Sequence, residues 1–257
     1  MSGQPLFTVE RKTKILEVLQ LQNKVTVAKL ASEFGVSGAT IRSDLRQMHA
    51  QGLIIRTHGG AMQKISSNIE LYTDQKLDSN IEKKKRIAEA ALQLISDGDS
   101  IILDTGTTTL ELAKLLYRKG YLTVITNDIE IALTLEKHPS AKIYMLGGLI
   151  RKMFHCTLSL SGKPLMDGII VNKAFMGTNA FSLEKGALTP DISQAETKKA
   201  MIQCAQEVIL LCDSSKIGKV SLSQFARMED IDIFVTDAIG TQDKSSMEEK
   251  GIMIIVA

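Results

Sequence analysis

The chain has 257 residues, 44% of them hydrophobic and 23% charged, with a mean hydropathy of +0.05 and a formal net charge of only +2. These are the proportions of an ordinary soluble globular protein, and its apolar runs, such as 208–212 and 252–257, are far too short to cross a bilayer. Cys156, Cys204 and Cys212 form no Cys-x-x-Cys pair, and His49, His58, His138 and His155 show no metal-binding spacing, so neither disulfides nor a metal or cofactor is expected. The first twenty residues lack a signal-peptide core, so the expected location is cytoplasmic.

The charge is unevenly spread. Residues 1–65 hold nine Lys/Arg and four Asp/Glu, a net +5, whereas 66–257 hold 22 and 25, a net −3. A small basic head on a mildly acidic body is the distribution expected when the head alone meets a polyanion.

The head, taken as 1–63, reads as helices followed by a hairpin. Residues 9–21 place Ile15, Leu16, Val18 and Leu19 on one side, a helical pattern. The β-branched stretch 25–27 precedes a short helix at 29–34 with Leu30, Ala31 and Phe34 inward. Gly35-Val36-Ser37 breaks it, Ser37 is placed to cap a second helix over 38–50, and Gly52 ends that helix. Residues 53–61 then read as two short strands turning near Gly59 and Gly60. Within 38–50, Ile41, Leu45 and Met48 share the core face. Thr40, Ser43, Arg46 and Gln47 point outward and Arg42 lies at the edge, a set suited to a major groove. Arginine donates a fork of hydrogen bonds to guanine or phosphate, and hydroxyls are adaptable donors. A solvated face on an ordinary helix has the same composition, so this face alone leaves both readings open.

Residues 64–79 are polar and weakly patterned and are assigned to a connector, with a body over 80–257. Ser79-x-x-Glu82 matches a capping box, and the helix after it runs to about Ser96. Strands are expected at 100–104, 122–126, 142–146, 173–176, 208–212, 233–236 and 252–256, with helices at 107–118, 129–136 and 194–205. That alternation implies a parallel sheet covered on both faces, an α/β body. Asp104-Thr105-Gly106-Thr107-Thr108-Thr109 joins a buried-looking strand to a helix. Its glycine, helix-start N–H groups and threonine hydroxyls suit a phosphate, with Asp104 turned to sugar hydroxyls instead; a Thr-rich cap without a ligand is the plainer alternative. Thr126-Asn127, Gly147-Gly148, Gly177-Thr178-Asn179 and Lys216 also fall at strand ends, where ligands bind in open α/β sheets.

The order of these residues resembles a known family. Gly35–Ser37, Thr40–Leu45, Gly52–Ile54 and Arg56–Ala61 resemble the helix-turn-helix (about 25–44) and wing of the DeoR family of bacterial regulators. Asp104–Thr109, Thr126-Asn127, Leu146–Gly148 with Arg151, Ser161-Gly162, Lys173–Gly177, Glu196 with Lys199–Met201 and Asp213–Gly218 resemble its C-terminal sensor domain, of the ribose-5-phosphate isomerase type of fold. The resemblance implies a winged helix-turn-helix that contacts double-stranded operator DNA through Ser37, Thr40 and Arg42, with Arg56 and His58 in the wing; Ser43 and Arg46 on the outward face and Gly59 and Gly60 in the wing turn complete the expected contacts. It implies a phosphorylated sugar effector on Asp104, Gly106, Thr107, Thr108, Thr109, Asn127, Gly147, Gly148, Asn179, Glu196 and Lys216. Ser43, Met48-His49, Asn172, Thr178 and Ala180 depart from the family pattern.

The expectation is therefore a repressor of a sugar or sugar-alcohol operon, a homo-oligomer (dimer or tetramer) without a membrane segment, released from DNA by its effector. The competing reading is a sugar-phosphate isomerase-like enzyme carrying a DNA-binding head. Such an isomerase needs a carboxylate base, commonly in a Gly-Ala-Asp-Glu-like turn, where this chain has Gly177-Thr178-Asn179-Ala180. Only Glu196 is left as a base, so no enzymatic activity is expected.

Overall fold

In the computed structural model, which describes residues 8–22, 24–51, 53–63, 70–158 and 166–257, the chain divides into two units, Met1–Ile69 and Glu70–Ala257. The first unit holds α1 (Thr8–Gln22), β1 (Lys24–Thr26), α2 (Val27–Phe34), α3 (Gly38–Ala50), β2 (Ile54–Thr57) and β3 (Gly60–Gln63), with β3 central in an antiparallel sheet ordered β1-β3-β2. Ile15 and Leu19 of α1, Leu30 and Phe34 of α2, and Ile41, Leu45 and Met48 of α3 close one core with Val25, Ile54 and Ala61. Short polar side chains cap the two helices of the helix-turn-helix. Thr26 accepts from the Lys29 N–H at 3.2 Å and Ser37 from the Thr40 N–H at 3.1 Å. Arg11 grips the buried Asp44 with two nitrogens at 2.5 and 3.1 Å, fixing α1 against α3.

Gly60 has a structural task in this sheet. A Cβ there would stand 1.9 Å from the Val25 carbonyl oxygen, so only glycine lets β1 pair with β3. Gly60→Ala is expected to cost the head about 1–3 kcal/mol through forced separation of these strands. Thermal unfolding of the full chain checks it, since an unchanged first-unit transition would contradict the close approach.

The second unit opens with α4 (Thr73–Leu77) and α5 (Ile81–Leu92) and continues through β4 (Ser100–Leu103), α6 (Thr107–Leu115), β5 (Leu122–Thr126), α7 (Ile129–Leu135) and β6 (Ala141–Met145). Then come β7 (Leu149–Arg151), β8 (Cys156–Leu158), β9 (Val171–Gly177), β10 (Ala180–Ser182), β11 (Gly186–Thr189), α8 (Ile192–Gln203), β12 (Ala205–Leu211), β13 (Ser223–Ala226), β14 (Ile233–Thr236), α9 (Thr241–Glu248) and β15 (Met253–Val256). A seven-stranded sheet runs in the order β15-β14-β12-β9-β4-β5-β6, every pair parallel. Its two faces bury separate apolar clusters, one around Ile102, Met176, Leu210 and Phe234, the other around Ile101, Leu103, Val124 and Val235. A sheet buried on both faces explains why these strands read as continuous apolar runs.

The structure departs from the sequence reading at three places. Residues 70–78, assigned to the connector, are part of the second unit, where Thr73 N–H donates to the Met153 carbonyl at 3.0 Å. Ser79 does not cap α5; Asn80 precedes it in the left-handed conformation (φ 56°), its amide turned to Asp213 and Ser215 instead. The pairs β7–β8 and β10–β11–β13 were not anticipated, being strands of three or four residues with too little pattern to read. Gly52 and Ser161-Gly162 lie outside the described residues. No helix of the described residues is long and apolar enough to cross a membrane.

Candidate functional site

The outward face of α3 carries the side chains expected to meet DNA. Ile41, Asp44, Leu45 and Met48 are buried, so the helical period leaves Arg42, Ser43, Arg46 and Gln47 exposed. Thr40 is half-buried, and its hydroxyl lies 2.8 Å from that of Ser37. Gln47 accepts from Lys12 at 2.7 Å. Arg42 lies along the start of α3 and, with Arg56, His58 and Gly59 of the wing, lines a concavity of about 450 Å³. Helix edge and wing thus present cationic and imidazole side chains to one groove. Gly59 is exposed, whereas Gly60 is buried and serves strand pairing; both line this concavity.

In the second unit the candidate residues converge at the carboxyl ends of β4, β5, β9 and β12, the edge where parallel sheets hold ligands. Gly106 takes φ +155°, which lets the chain turn from β4 into α6. No side chain caps the start of α6, and the hydroxyls of Thr107 and Thr108 have no hydrogen-bond partner among the described residues. Thr109 instead donates to the Gly106 carbonyl at 2.8 Å, and Thr105 to Asp128 at 2.6 Å. Two of the hydroxyls in this segment therefore build the turn, and two are not engaged by any described residue.

Asp104 was expected to face sugar hydroxyls. It is fully buried, with Oδ2 accepting from the Lys198 ammonium and from the Gly177 N–H at 2.9 Å. Burial pushes its carboxyl upward, and the Lys198 ammonium and that N–H pull it back. Its Oδ1 and the Oδ1 of Asn127 are buried acceptors without a donor among the described residues. Asn127 spends its amide on the Thr157 carbonyl at 2.9 Å, so it also ties β8 to the mouth. Gly147 and Gly148 form an exposed turn after β6.

Glu196 does not reach this mouth. Gln194, Ala195, Thr197 and Lys198 fill the inner side of α8, leaving Glu196 on the solvent side, paired with Lys199 at 3.0 Å. Lys198, buried and reaching the Gly177 carbonyl at 3.0 Å, is the α8 residue that meets the mouth.

Beside Lys216, which the sequence already places at this mouth, the structure adds two cations that the sequence pattern does not mark, Lys76 and Lys84. Lys216 pairs with Asp213 at 3.3 Å. Lys84 on α5 is buried, donates to the Lys76 carbonyl, and is pushed down to about 8 by burial and by the Lys216 ammonium, against the pull of Asp213 and Glu111. Lys76 is pushed down by burial, with Lys216 and Arg151 adding to the effect against Glu70. No local signal marks them, because Lys76 lies in the last turn of α4 and Lys84 near the start of α5, and a lysine so placed reads as solvent-facing until tertiary contacts bury it. Among the described residues no group of three or more His, Cys, Asp or Glu is placed to hold a metal.

With this geometry in place, two families match the chain: residues 11–66 the DeoR-like helix-turn-helix domain, and residues 79–238 the DeoR C terminal sensor domain. The transcriptional regulator GlpR of Haloferax volcanii is 35% identical, the match covering 95% of this chain and 94% of that protein. The transcriptional repressor GlcR of Bacillus subtilis is 34% identical over 98% of this chain and 97% of its own length. A putative aga operon transcriptional repressor of Escherichia coli O157:H7 is 29% identical over 97% and 94%. Among solved structures, ribose 5-phosphate isomerase A of Methanocaldococcus jannaschii aligns with a TM-score of 0.40 and 20% identity over 54% of this chain and 55% of that one.

Proposed function

The chain belongs to the DeoR family of transcriptional regulators, and from that premise we propose that it represses a sugar or sugar-alcohol operon and leaves its operator when a phosphorylated sugar binds the second unit. The observation that carries the effector half is the convergence of Lys76, Lys84 and Lys216, with Lys76 on α4 and Lys84 on α5, two helices packed against α6, whose start has no side-chain cap. Lys84 is buried with no carboxylate paired to it among the described residues, and the half-buried Lys76 and Lys216 each lean on one carboxylate, so a phosphate dianion at the Thr107–Thr109 N–H groups adds negative charge where these ammonium groups repel. The unmatched acceptors on Asp104 and Asn127 suit a ligand rich in hydroxyl donors.

Binding a sugar rather than converting one fits the carboxylates at the mouth. Asp104 is held by Lys198, Asp213 by Lys216 and Glu70 by Lys76 and Arg151, so each is engaged rather than poised as a base. We take the active form as a homo-oligomer in the cytoplasm, with exposed Tyr144, Met145, Leu149 and Ile150 on β6 and β7 as a surface for a second copy. Paired heads would then read half-sites about 34 Å apart or a multiple of that.

A thermal-shift screen of hexose, ketose and hexitol phosphates, followed by gel-shift release on the hits, tests the reading; no stabilisation by any of them sinks it. The pH dependence of the hit is a sharper check. Lys84 is charged in the free protein below about pH 8, and a bound phosphate holds it charged at higher pH. Affinity is expected to be flat below that point and then to weaken by up to about tenfold per pH unit as binding takes up one proton. Calorimetry from pH 7 to 9.5 measures this, and a flat profile throughout would remove Lys84 from the site.

A further inference from the structure

Glu70 is the first described residue of the second unit, and the chain between Gln63 and Glu70 is its covalent link to the DNA-binding unit. Its carboxylate is nearly buried and fully engaged. Oε1 accepts from the Lys76 ammonium at 2.8 Å and the Asn179 amide at 3.0 Å, and Oε2 from the Arg151 guanidinium at 2.7 Å. Burial works against its ionisation, but Lys76 and Arg151 hold its carboxyl below the ordinary value. Arg151 is fixed by its stack 3.7 Å over the Phe154 ring and by a bond to Gln194 at 3.2 Å. An ammonium, a guanidinium and an amide converging on two oxygens form a donor set that accepts phosphate as readily as carboxylate. The Lys84 ammonium donates to the Lys76 backbone carbonyl, and the Lys216 ammonium is near enough to repel both lysines. One cation is therefore shared between an internal carboxylate and the place where an external anion is expected.

We propose that Glu70 is a built-in competitor for the anion site: an anionic effector beside Lys84 and Lys216 draws Lys76 and Arg151 away from it and unlatches the segment 70–77 that leads to the DNA-binding unit. The inference rests on the reading of this mouth as the effector site. A dianion among three ammonium groups that Glu70 and Asp213 only partly neutralise relieves more like-charge repulsion than the Glu70 carboxylate does alone. Release of the segment then links occupancy to the head, as linkage requires: the effector binds the unlatched state more tightly than the latched one.

The test uses the full chain, with inorganic phosphate and the best phosphorylated sugar from the screen, at constant ionic strength. Glu70→Gln keeps the shape of the side chain but removes its charge and turns one of its two acceptor oxygens into an NH2 donor, which weakens its hold on Lys76 or Arg151. The variant is expected to bind inorganic phosphate at least about fivefold more tightly. In the unaltered chain, saturating ligand is expected to speed amide hydrogen exchange across 72–77, where Thr73 and Lys76 N–H groups are bonded to Met153 and Tyr72 carbonyls. Unchanged or weaker binding by the variant, or unchanged or slower exchange in the liganded chain, overturns the proposal. Should Glu70→Gln fail to fold, the exchange measurement decides alone. Absence of binding by the unaltered chain to phosphate and to every phosphorylated sugar would sink the effector-site reading itself, an outcome distinct from binding without unlatching.

Discussion

Lys198→Met is expected to lower the melting temperature of the second unit by roughly 6–20 °C, a loss of about 3–5 kcal/mol. Asp104 is 0% exposed and Lys198 1%, so no water replaces the ammonium when it is removed. The Gly177 N–H still reaches Oδ2, but Oδ1 already lacks a donor among the described residues, and a buried carboxylate so placed must either stay charged at high cost or take up a proton. Removing both charges with Lys198→Met and Asp104→Leu is expected to recover much of the loss, since a buried pair adds little beyond an apolar pair of like volume. Thermal unfolding of the single and double variants gives the coupling between them. A shift below about 2 °C for Lys198→Met would mean that the pair is far more hydrated than its burial indicates.

Arg42→Ala is expected to weaken operator binding by about 10–100-fold while leaving stabilisation by the sugar phosphate intact. Arg42 lines the concavity at the start of α3 with Arg56 and His58, so a contact made there would draw on helix and wing together. Arg42→Lys separates the two contributions, because lysine keeps the charge but not the bidentate fork. Fluorescence anisotropy on labelled operator at several salt concentrations measures affinity and the number of phosphate contacts together. Unchanged affinity would move the contact elsewhere on the head. Lys216→Ala should show the reverse profile, with operator binding kept and the response to effector lost; a normal response would dislodge Lys216 from the phosphate site.

The elements were legible wherever local pattern and burial coincide. The helix 38–50 and the strands 122–126 and 233–236 have the bounds that their apolar periodicity predicts. The turn Asp104–Thr109 was legible as well, because the glycine and helix start that shape it are adjacent in the chain. Glu196 and Lys198 show where this reasoning stops. Both are charged residues on one helix, and pattern alone treats a charge as solvent-facing. α8 buries the lysine because its partner Asp104, 94 positions away, meets it at the end of β4.

The sequence by itself determined the two-part plan, the outward face of α3 and the strand-to-helix turn Asp104–Thr109, since each is written in neighbouring residues and helical or strand spacing. Only the tertiary structure decided which charges are buried, which hydroxyls are spent on building the turn, and that Glu70 reaches Arg151 and Asn179 across 81 and 109 positions. The physical reason is range. Backbone propensity and apolar periodicity act over a few residues, whereas ion pairing depends on distance in space and on exclusion of water, which exist only once the sheet has brought its strand ends together.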